Sequence, residues 1–101
     1  MNCPLCNVEL RIAERQGIEI DYCPLTQGIW LDAGELEALL EDKKAANDLM
    51  ASFRSDPDNR EKKLRCPICR KKMEKVWVMD KVLIDRCGRG HGLWFDEGEL
   101  L

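Results

Sequence analysis

The sequence lacks long apolar runs, and this absence excludes one class of protein. None of the 101 residues lies in an apolar run of about 18 or more, the length that a membrane-spanning helix needs. No apolar signal core follows Met1. We therefore expect a cytoplasmic protein that has no membrane partner.

Histidine is also scarce, and cysteine occurs only in a repeated pattern. His91 is the single histidine, and the six cysteines form two copies of Cys-Pro-x-Cys followed by a lone cysteine. A Cys-x2-Cys turn directs two thiolates at one centre, and ligands from across a hairpin complete a tetrahedron. After each lone cysteine the chain repeats Gly-x-Trp-x-Asp-x-Gly-Glu-Leu, which ends at Leu36 and again at Leu100. The pattern predicts two zinc ribbons in tandem.

The repeat divides the chain into two small units. Nine of 17 positions are identical when residues 20–36 are aligned with residues 84–100. Residues 1–40 are predicted to form the first ribbon and residues 62–101 the second, with residues 41–61 as a helix continuation and linker. Units of about 40 residues usually need a metal or disulfides to fold. The predicted fold class is a small metal-stabilised α+β protein, in which each ribbon has a short antiparallel hairpin, a third strand and a helix, and a helical linker joins the two.

The second unit contains a full set of four candidate ligands for a metal. They are Cys66, Cys69, Cys87 and His91. Six cysteines could instead form three disulfides in a secreted protein, but the Cys-x2-Cys spacing and the histidine favour zinc in a reducing cytosol. A shell of three thiolates and one imidazole leaves no position for water. This zinc is therefore predicted to be structural.

The first unit contains only three clear ligands, which are Cys3, Cys6 and Cys23. Gln27 aligns with His91, and Thr26 stands where a second Cys-x2-Cys would place its last thiol. Three alternatives stay open: a carboxylate such as Asp21 or Asp32 completes the site, water or a partner's side chain does, or metal binds weakly or not at all. An open position is what catalytic zinc needs, but so small a unit can hardly enclose a pocket. We predict no catalytic residue, no enzymatic activity and no small-molecule substrate.

The secondary structure follows from turn residues and periodicity. Residues 8–22 and 73–86 are predicted to be hairpins, and each leads into a short strand that carries Trp30 or Trp94 as the core of its ribbon. Asp32 is predicted to cap the following helix while Glu35 bonds back to the cap, and Asp96 and Glu99 repeat this arrangement.

One apolar stripe is predicted to follow the first ribbon. A helix from Gly34 to about Arg54 places apolar residues at intervals of three and four, namely Leu36, Leu39, Leu40, Ala46, Met50 and Phe53. The stripe packs on the chain's own ribbons or, alternatively, on a partner protein or a second copy of the chain.

Charge is distributed unevenly along the chain. Residues 1–56 have a net charge of −6 and residues 57–101 a net charge of +3. Most of the positive excess lies in residues 60–75, which surround the Cys-x2-Cys turn of the second ribbon. Such a run is either a solvated face or a surface that contacts nucleic acid.

Together, these motifs resemble the transcription factor IIB-type zinc-finger family, whose members are small and mainly prokaryotic zinc-ribbon proteins. The resemblance covers both repeats and implies that the ligands are Cys3, Cys6, Cys23, Cys66, Cys69, Cys87 and His91. The family name suggests a link to transcription. We therefore predict a non-enzymatic zinc-binding module that contacts protein or nucleic acid. The alternative is thiol or metal handling, meaning metal transfer or redox sensing, at the three-cysteine first site.

Overall fold

Residues 1–100, which the computed structural model describes, form a single seven-stranded sheet and two short helices. In chain order the elements are β1 (Arg11–Arg15), β2 (Ile18–Tyr22), β3 (Ile29–Asp32), α1 (Glu35–Leu40), α2 (Lys43–Ala51), β4 (Arg54–Ser55), β5 (Glu74–Val78), β6 (Val82–Arg86) and β7 (Gly92–Phe95). The strand order is β1-β2-β3-β7-β6-β5-β4, and every neighbouring pair is antiparallel.

Both predicted hairpins are confirmed. Gln16 and Gly17 have φ values of 52° and 79°, so the two-residue turn has the left-handed conformation that suits the twist of β1 and β2. In the second hairpin three residues connect Val78 to Val82, and the Lys81 amide donates to the Val78 carbonyl at 3.0 Å. The extra residue of the second copy thus lies in a hairpin tip, where insertions are tolerated.

The two ribbons are joined edge to edge by their third strands. In the β3–β7 ladder Trp30 lies opposite Trp94, and these are equivalent residues of the two repeats. Antiparallel pairing centred on equivalent residues relates the two halves by a local two-fold axis, as in a symmetric dimer. The two repeats therefore form one continuous sheet, joined at β3 and β7.

Each tryptophan packs on a glycine of the other ribbon. A Cβ atom on Gly28 would lie 2.2 Å from Cζ2 of Trp94, and one on Gly92 would lie 2.7 Å from Cζ2 of Trp30. Both indoles are fully buried, which confirms that they are core residues. Only glycine lets the indole ring of the opposite ribbon approach so closely, because any side chain would occupy the ring's position.

The two faces of the sheet carry separate apolar clusters. One face holds both tryptophans together with Cys3, Cys23, Cys66 and Cys87, so the cysteine turns of both repeats belong to one core. The other face holds residues such as Leu31, Ile84 and Phe95, and α1 and α2 lie over it. No helix within residues 1–100 combines the length and the apolar character needed to cross a bilayer.

The predicted continuous helix from Gly34 to Arg54 is wrong in its length and continuity. The helix ends after α1, where Glu41 adopts a left-handed φ of 61°. Asp42 then caps α2, accepting hydrogen bonds from the amides of Lys44 and Ala45 at 2.9 and 3.2 Å. An Asp that can cap a new helix offers the backbone an alternative to continuing the old one. Arg54, the last residue of the predicted helix, instead begins β4, which pairs with β5.

The predicted capping arrangement is confirmed for the glutamates and wrong for the aspartates. Glu35 accepts from the Asp32 amide and Glu99 from the Asp96 amide, both at 2.7 Å. The aspartates do not cap a helix. Asp32 accepts from the Trp30 indole at 2.8 Å, and Asp96 repeats this bond with its own tryptophan at 3.0 Å. A buried indole N–H needs an acceptor, and the aspartate two residues along the chain is within reach.

Candidate metal centres and a basic cleft

The second cluster brings together the four side chains predicted from the sequence. Cys66, Cys69, Cys87 and His91 lie with their ligand atoms within 4.8 Å of one another. The Sγ atoms of Cys69 and Cys87 are 3.7 Å apart, and Nδ1 of His91 is 3.4 Å from Cys87 Sγ and 3.9 Å from Cys66 Sγ. Tetrahedral zinc needs separations of about 3.8 Å between sulfurs and about 3.6 Å between sulfur and nitrogen. The geometry of the cluster therefore fits a zinc ion.

The backbone of the second cluster prepares one thiol for ionisation. Burial alone would raise the pKa of Cys87, but the amides of His91 and Arg89 stabilise its thiolate and lower the pKa to about 7. Cys66 shows the opposite balance, because burial raises its pKa to about 11. One thiolate is thus available near neutral pH, and a bound cation would deprotonate the rest.

The first cluster brings together Cys3, Cys6 and Cys23, whose sulfurs also lie within 4.8 Å of one another. Cys6 Sγ and Cys23 Sγ are 3.5 Å apart. Burial would raise the pKa of Cys23, but hydrogen bonds from Thr26 outweigh it and lower the pKa to about 6. Cys3 and Cys23 are buried, whereas Cys6 is exposed. Solvent can therefore reach this cluster through the side of Cys6.

Thr26, and not Gln27, stands beside the three thiols. The Thr26 hydroxyl oxygen lies 3.6 Å from Cys3 Sγ and accepts a hydrogen bond from the Gly28 amide at 3.3 Å. The Gln27 side chain donates to the Pro24 carbonyl at 3.2 Å and is exposed. Gln27 aligns with His91 in sequence, but its side chain does not occupy the equivalent position beside the sulfurs. A neutral hydroxyl is a poor substitute for the thiolate, imidazole or carboxylate ligands of zinc.

Neither carboxylate weighed from the sequence joins the first cluster. Within residues 1–100, the group of potential ligand atoms around these sulfurs contains the three cysteines and no Asp or Glu. Asp32 is engaged with the Trp30 indole. Partial burial and the charge of Asp32 raise the pKa of Asp21, and the positively charged N-terminus opposes this rise.

A basic cleft runs between the cysteine turns of the two ribbons. The cleft has a volume of about 520 Å³. Five exposed cationic side chains line it, namely Lys62, Lys63, Arg65, Arg70 and Lys72. The first ribbon contributes Asn2, Leu5 and Asn7 but no carboxylate to its lining. None of the five cations forms an ion pair with any residue in the described part of the chain.

Lys75, the last residue of the predicted basic run, does not belong to the cleft. Its side chain is buried on the tryptophan face of the sheet, 2.7 Å from the carboxylate of Asp85. Burial raises the pKa of Asp85, and the Lys75 ammonium opposes that rise. Because each charge is matched by the other, this pair cannot attract an external ligand. The first ribbon has Ile12, 67% exposed, at the equivalent position opposite Asp21.

Sequence reasoning missed the contribution of the first ribbon to the cleft. Residues 1–56 have a net charge of −6, and yet the first ribbon contributes the side-chain amides of Asn2 and Asn7 and the exposed Leu5 to one wall of the cleft. No signal in the sequence indicated this, because the wall depends on how the ribbons join. The joining itself had a signal, since Gly28 and Gly92 recur at fixed distance from the tryptophans.

Comparison with known proteins identifies the family of the chain. A sequence profile described as "Transcription factor zinc-finger" matches residues 2–42 and again residues 65–101. Searches among curated proteins and among solved structures found no match. The two matched regions contain all the cysteines of the two clusters and cover more than half of the sequence. The chain therefore belongs to the transcription factor zinc-finger family and carries two copies of its zinc ribbon.

Proposed function

We propose that the protein is a non-enzymatic, zinc-stabilised module that binds the phosphate backbone of nucleic acid in the basic cleft between its two ribbons. The observation that carries this proposal is the set of five cations lining the cleft, which have no ion-pair partner and no neighbouring carboxylate in the lining among residues 1–100. Such an arrangement attracts phosphates through charge and releases their counterions on binding.

Zinc has a structural part in this function. The cluster of Cys66, Cys69, Cys87 and His91 holds zinc in a closed shell, and the cluster of Cys3, Cys6 and Cys23 holds it with one ligand fewer. The cleft is lined by both Cys-Pro-x-Cys turns, since Cys3 of the first turn and Pro67 of the second lie in its wall. Metal binding fixes the two cysteine turns and so fixes the distance between the walls of the cleft.

The cleft binds backbone without stacking on bases. Trp30 and Trp94 are fully buried in the core, and none of the described residues that line the cleft is aromatic. Sequence-tolerant single-strand binders usually combine a basic groove with aromatic platforms. In the absence of platforms, affinity depends on the number of phosphates neutralised, and binding falls steeply with salt.

Docking of a protein or a second copy through residues 34–54 has weaker support. Leu36 and Ala46 are buried, and the partly buried Leu39, Leu40, Leu49 and Phe53 pack against the helix-covered face of the sheet. Met50 remains 37% exposed. The stripe is thus largely used for packing on the chain's own sheet, which leaves little apolar area for a partner.

Fluorescence anisotropy of a short labelled RNA and DNA, each as single strand and duplex, tests the proposal. Affinity should fall linearly on a plot of log affinity against log salt. Changing Lys62 and Lys63 together to Ala should reduce the slope by about 2, because each lost phosphate contact removes roughly one counterion. The matched control changes Lys43 and Lys44, a second exposed lysine pair that lies on α2, away from the cleft.

The control pair should leave both affinity and slope as in the wild type. Equal losses from the two pairs would show a general charge effect and contradict a specific cleft. If no nucleic acid binds at low salt, where charge is least screened, the cationic face is only solvated and docking to protein becomes the function to pursue.

A further inference from the structure

We propose that the first metal site has one exchangeable coordination position, beside Thr26, that takes a small-molecule thiol as fourth ligand. The ion bound there is a thiophilic cation such as Zn²⁺. This inference rests on metal binding at the first cluster, which is part of the proposed function, and is independent of nucleic acid.

The first observation is that the ligand set stops at three. Cys3, Cys6 and Cys23 converge as closely as their counterparts in the second cluster. No fourth thiolate, imidazole or carboxylate within residues 1–100 joins them. Zinc in proteins normally binds four ligands, and a position that the protein leaves open is filled from solution.

The second observation locates the open position. In the second ribbon the fourth ligand approaches from the second cysteine loop, with His91 Nδ1 3.9 Å from Cys66 Sγ. In the first ribbon the Thr26 hydroxyl takes this place, 3.6 Å from Cys3 Sγ. The Gly28 amide donates to that hydroxyl and holds it there. Gln27, which the alignment would favour, is turned to the Pro24 carbonyl.

The third observation is access. Cys6 is exposed, whereas its counterpart Cys69 is partly buried. A small ligand can therefore approach the first cluster from solvent on the side of Cys6. Three thiolates already make the site soft, and soft sites prefer a further sulfur ligand. A metal held by Cys3, Cys6 and Cys23 would take the incoming thiol as its thiolate in place of a water molecule, the thiol's proton would pass to solvent, and no atom would change oxidation state.

The consequence is that the two ions differ in exchange rate. The second ion is enclosed by four protein ligands and leaves slowly. At the first cluster Cys3, Cys6 and Cys23 would leave one position for an external sulfur, so that a thiol could bind before any protein sulfur has to leave. The site thus has the properties of a metal-exchange site next to a structural one.

Cobalt substitution in anaerobic buffer tests the inference through its absorption spectrum. The protein loaded with two equivalents of Co²⁺ has six thiolate ligands. Adding 2-mercaptoethanol should raise the sulfur-to-cobalt charge-transfer absorption by about one sixth, as one more thiolate binds. Thr26→Cys should show the higher absorption without added thiol and should not respond further. It should also slow the fast phase of zinc release to a chelator roughly ten-fold or more.

Gln27→His provides the matched control. It introduces a histidine at the position that aligns with His91, whereas the residue that lies beside the sulfurs is Thr26. This variant should respond to thiol as the wild type does. A wild-type spectrum that thiol leaves unchanged, with two ions bound, overturns the open position but leaves zinc binding intact. Closure of the site by Gln27→His and not by Thr26→Cys overturns its location. Binding of only one cobalt ion overturns both the inference and the first zinc site.

Discussion

The contact between Trp94 and Gly28 gives the sharpest test of how the ribbons are joined. A Cβ atom at position 28 would lie 2.2 Å from Cζ2 and 2.6 Å from Cη2 of Trp94. Carbon atoms in contact are normally about 3.5–4.0 Å apart, so the ring would have to move by more than 1 Å, roughly, in Gly28→Ala. The ring is fully buried, and its N–H is bonded to Asp96 at 3.0 Å.

The expected loss of stability follows from these contacts. Overpacking of a buried site costs about 1–3 kcal/mol, and weakening the indole hydrogen bond adds about 1 kcal/mol. Gly28→Ala should therefore lower the free energy of unfolding by roughly 2–4 kcal/mol. For a domain of this size the midpoint of thermal unfolding should fall by about 10 °C or more, measured by circular dichroism on the zinc-loaded protein.

Two variants separate this explanation from others. Gly88→Ala is the matched control, because a Cβ there would meet only Glu74 Oε2 at an ordinary 3.6 Å. It should change stability by less than about 1 kcal/mol. Trp94→Phe removes the two ring atoms involved, so Gly28→Ala should cost much less in that background, a coupling of at least about 1 kcal/mol. Equal costs of Gly28→Ala in both backgrounds would refute the packing argument.

Three further predictions follow from the shared sheet, the buried glutamate and the apolar stripe. Cys87→Ser should remove the dispersed amide resonances of both halves, because structural zinc contributes on the order of 10 kcal/mol and the two ribbons share one core. A first ribbon whose amide resonances stay native-like would contradict this. Burial raises the pKa of Glu99 from 4.5 to about 7. Between pH 4.5 and about pH 7 the native state therefore binds a proton that the unfolded state lacks, and stability is lost as the pH rises through this window. Glu99→Gln keeps an oxygen acceptor for the Asp96 amide. Its free energy of unfolding should match the wild type at pH 5 and exceed it by about 1 kcal/mol at pH 8, after allowance for screening by solvent. A difference in stability that does not vary with pH would contradict the assignment. Met50→Glu should leave stability within about 0.5 kcal/mol, and sedimentation should show a monomer for wild type and variant alike, whereas a wild-type dimer that this change dissociates would establish docking through residues 34–54.

The parts that sequence predicted best are those set by local chemistry. Only a few adjacent residues determine the hairpin turn at Gln16 and Gly17 and the two cysteine turns. All three turns were placed correctly. The break after α1 was missed because Glu41 carries no turn signal, and because the cap at Asp42 competes with helix continuation by a small free energy.

The parts that depend on contacts between the halves could not be predicted from local pattern. The aspartates after the tryptophans were assigned to helix caps because spacing alone does not show that the indole N–H is buried and needs an acceptor. Lys75 was assigned to a surface run because its partner lies ten residues along the chain, on the next strand. The basic cleft itself depends on how two ribbons meet, which a repeat alignment does not describe.

The β3–β7 ladder has a consequence for how the two halves can diverge. Two identical ribbons associating through this ladder would carry every substitution twice, once on each side of the axis. Because a single chain supplies both halves, a change on one side leaves the other unaltered. Thr26 faces one set of thiols while His91 serves the other, and Ile12 occupies the site where the opposite half has Lys75. Because the two ribbons belong to one chain, one ribbon can keep all four candidate metal ligands and stabilise the fold while the other lacks the fourth ligand.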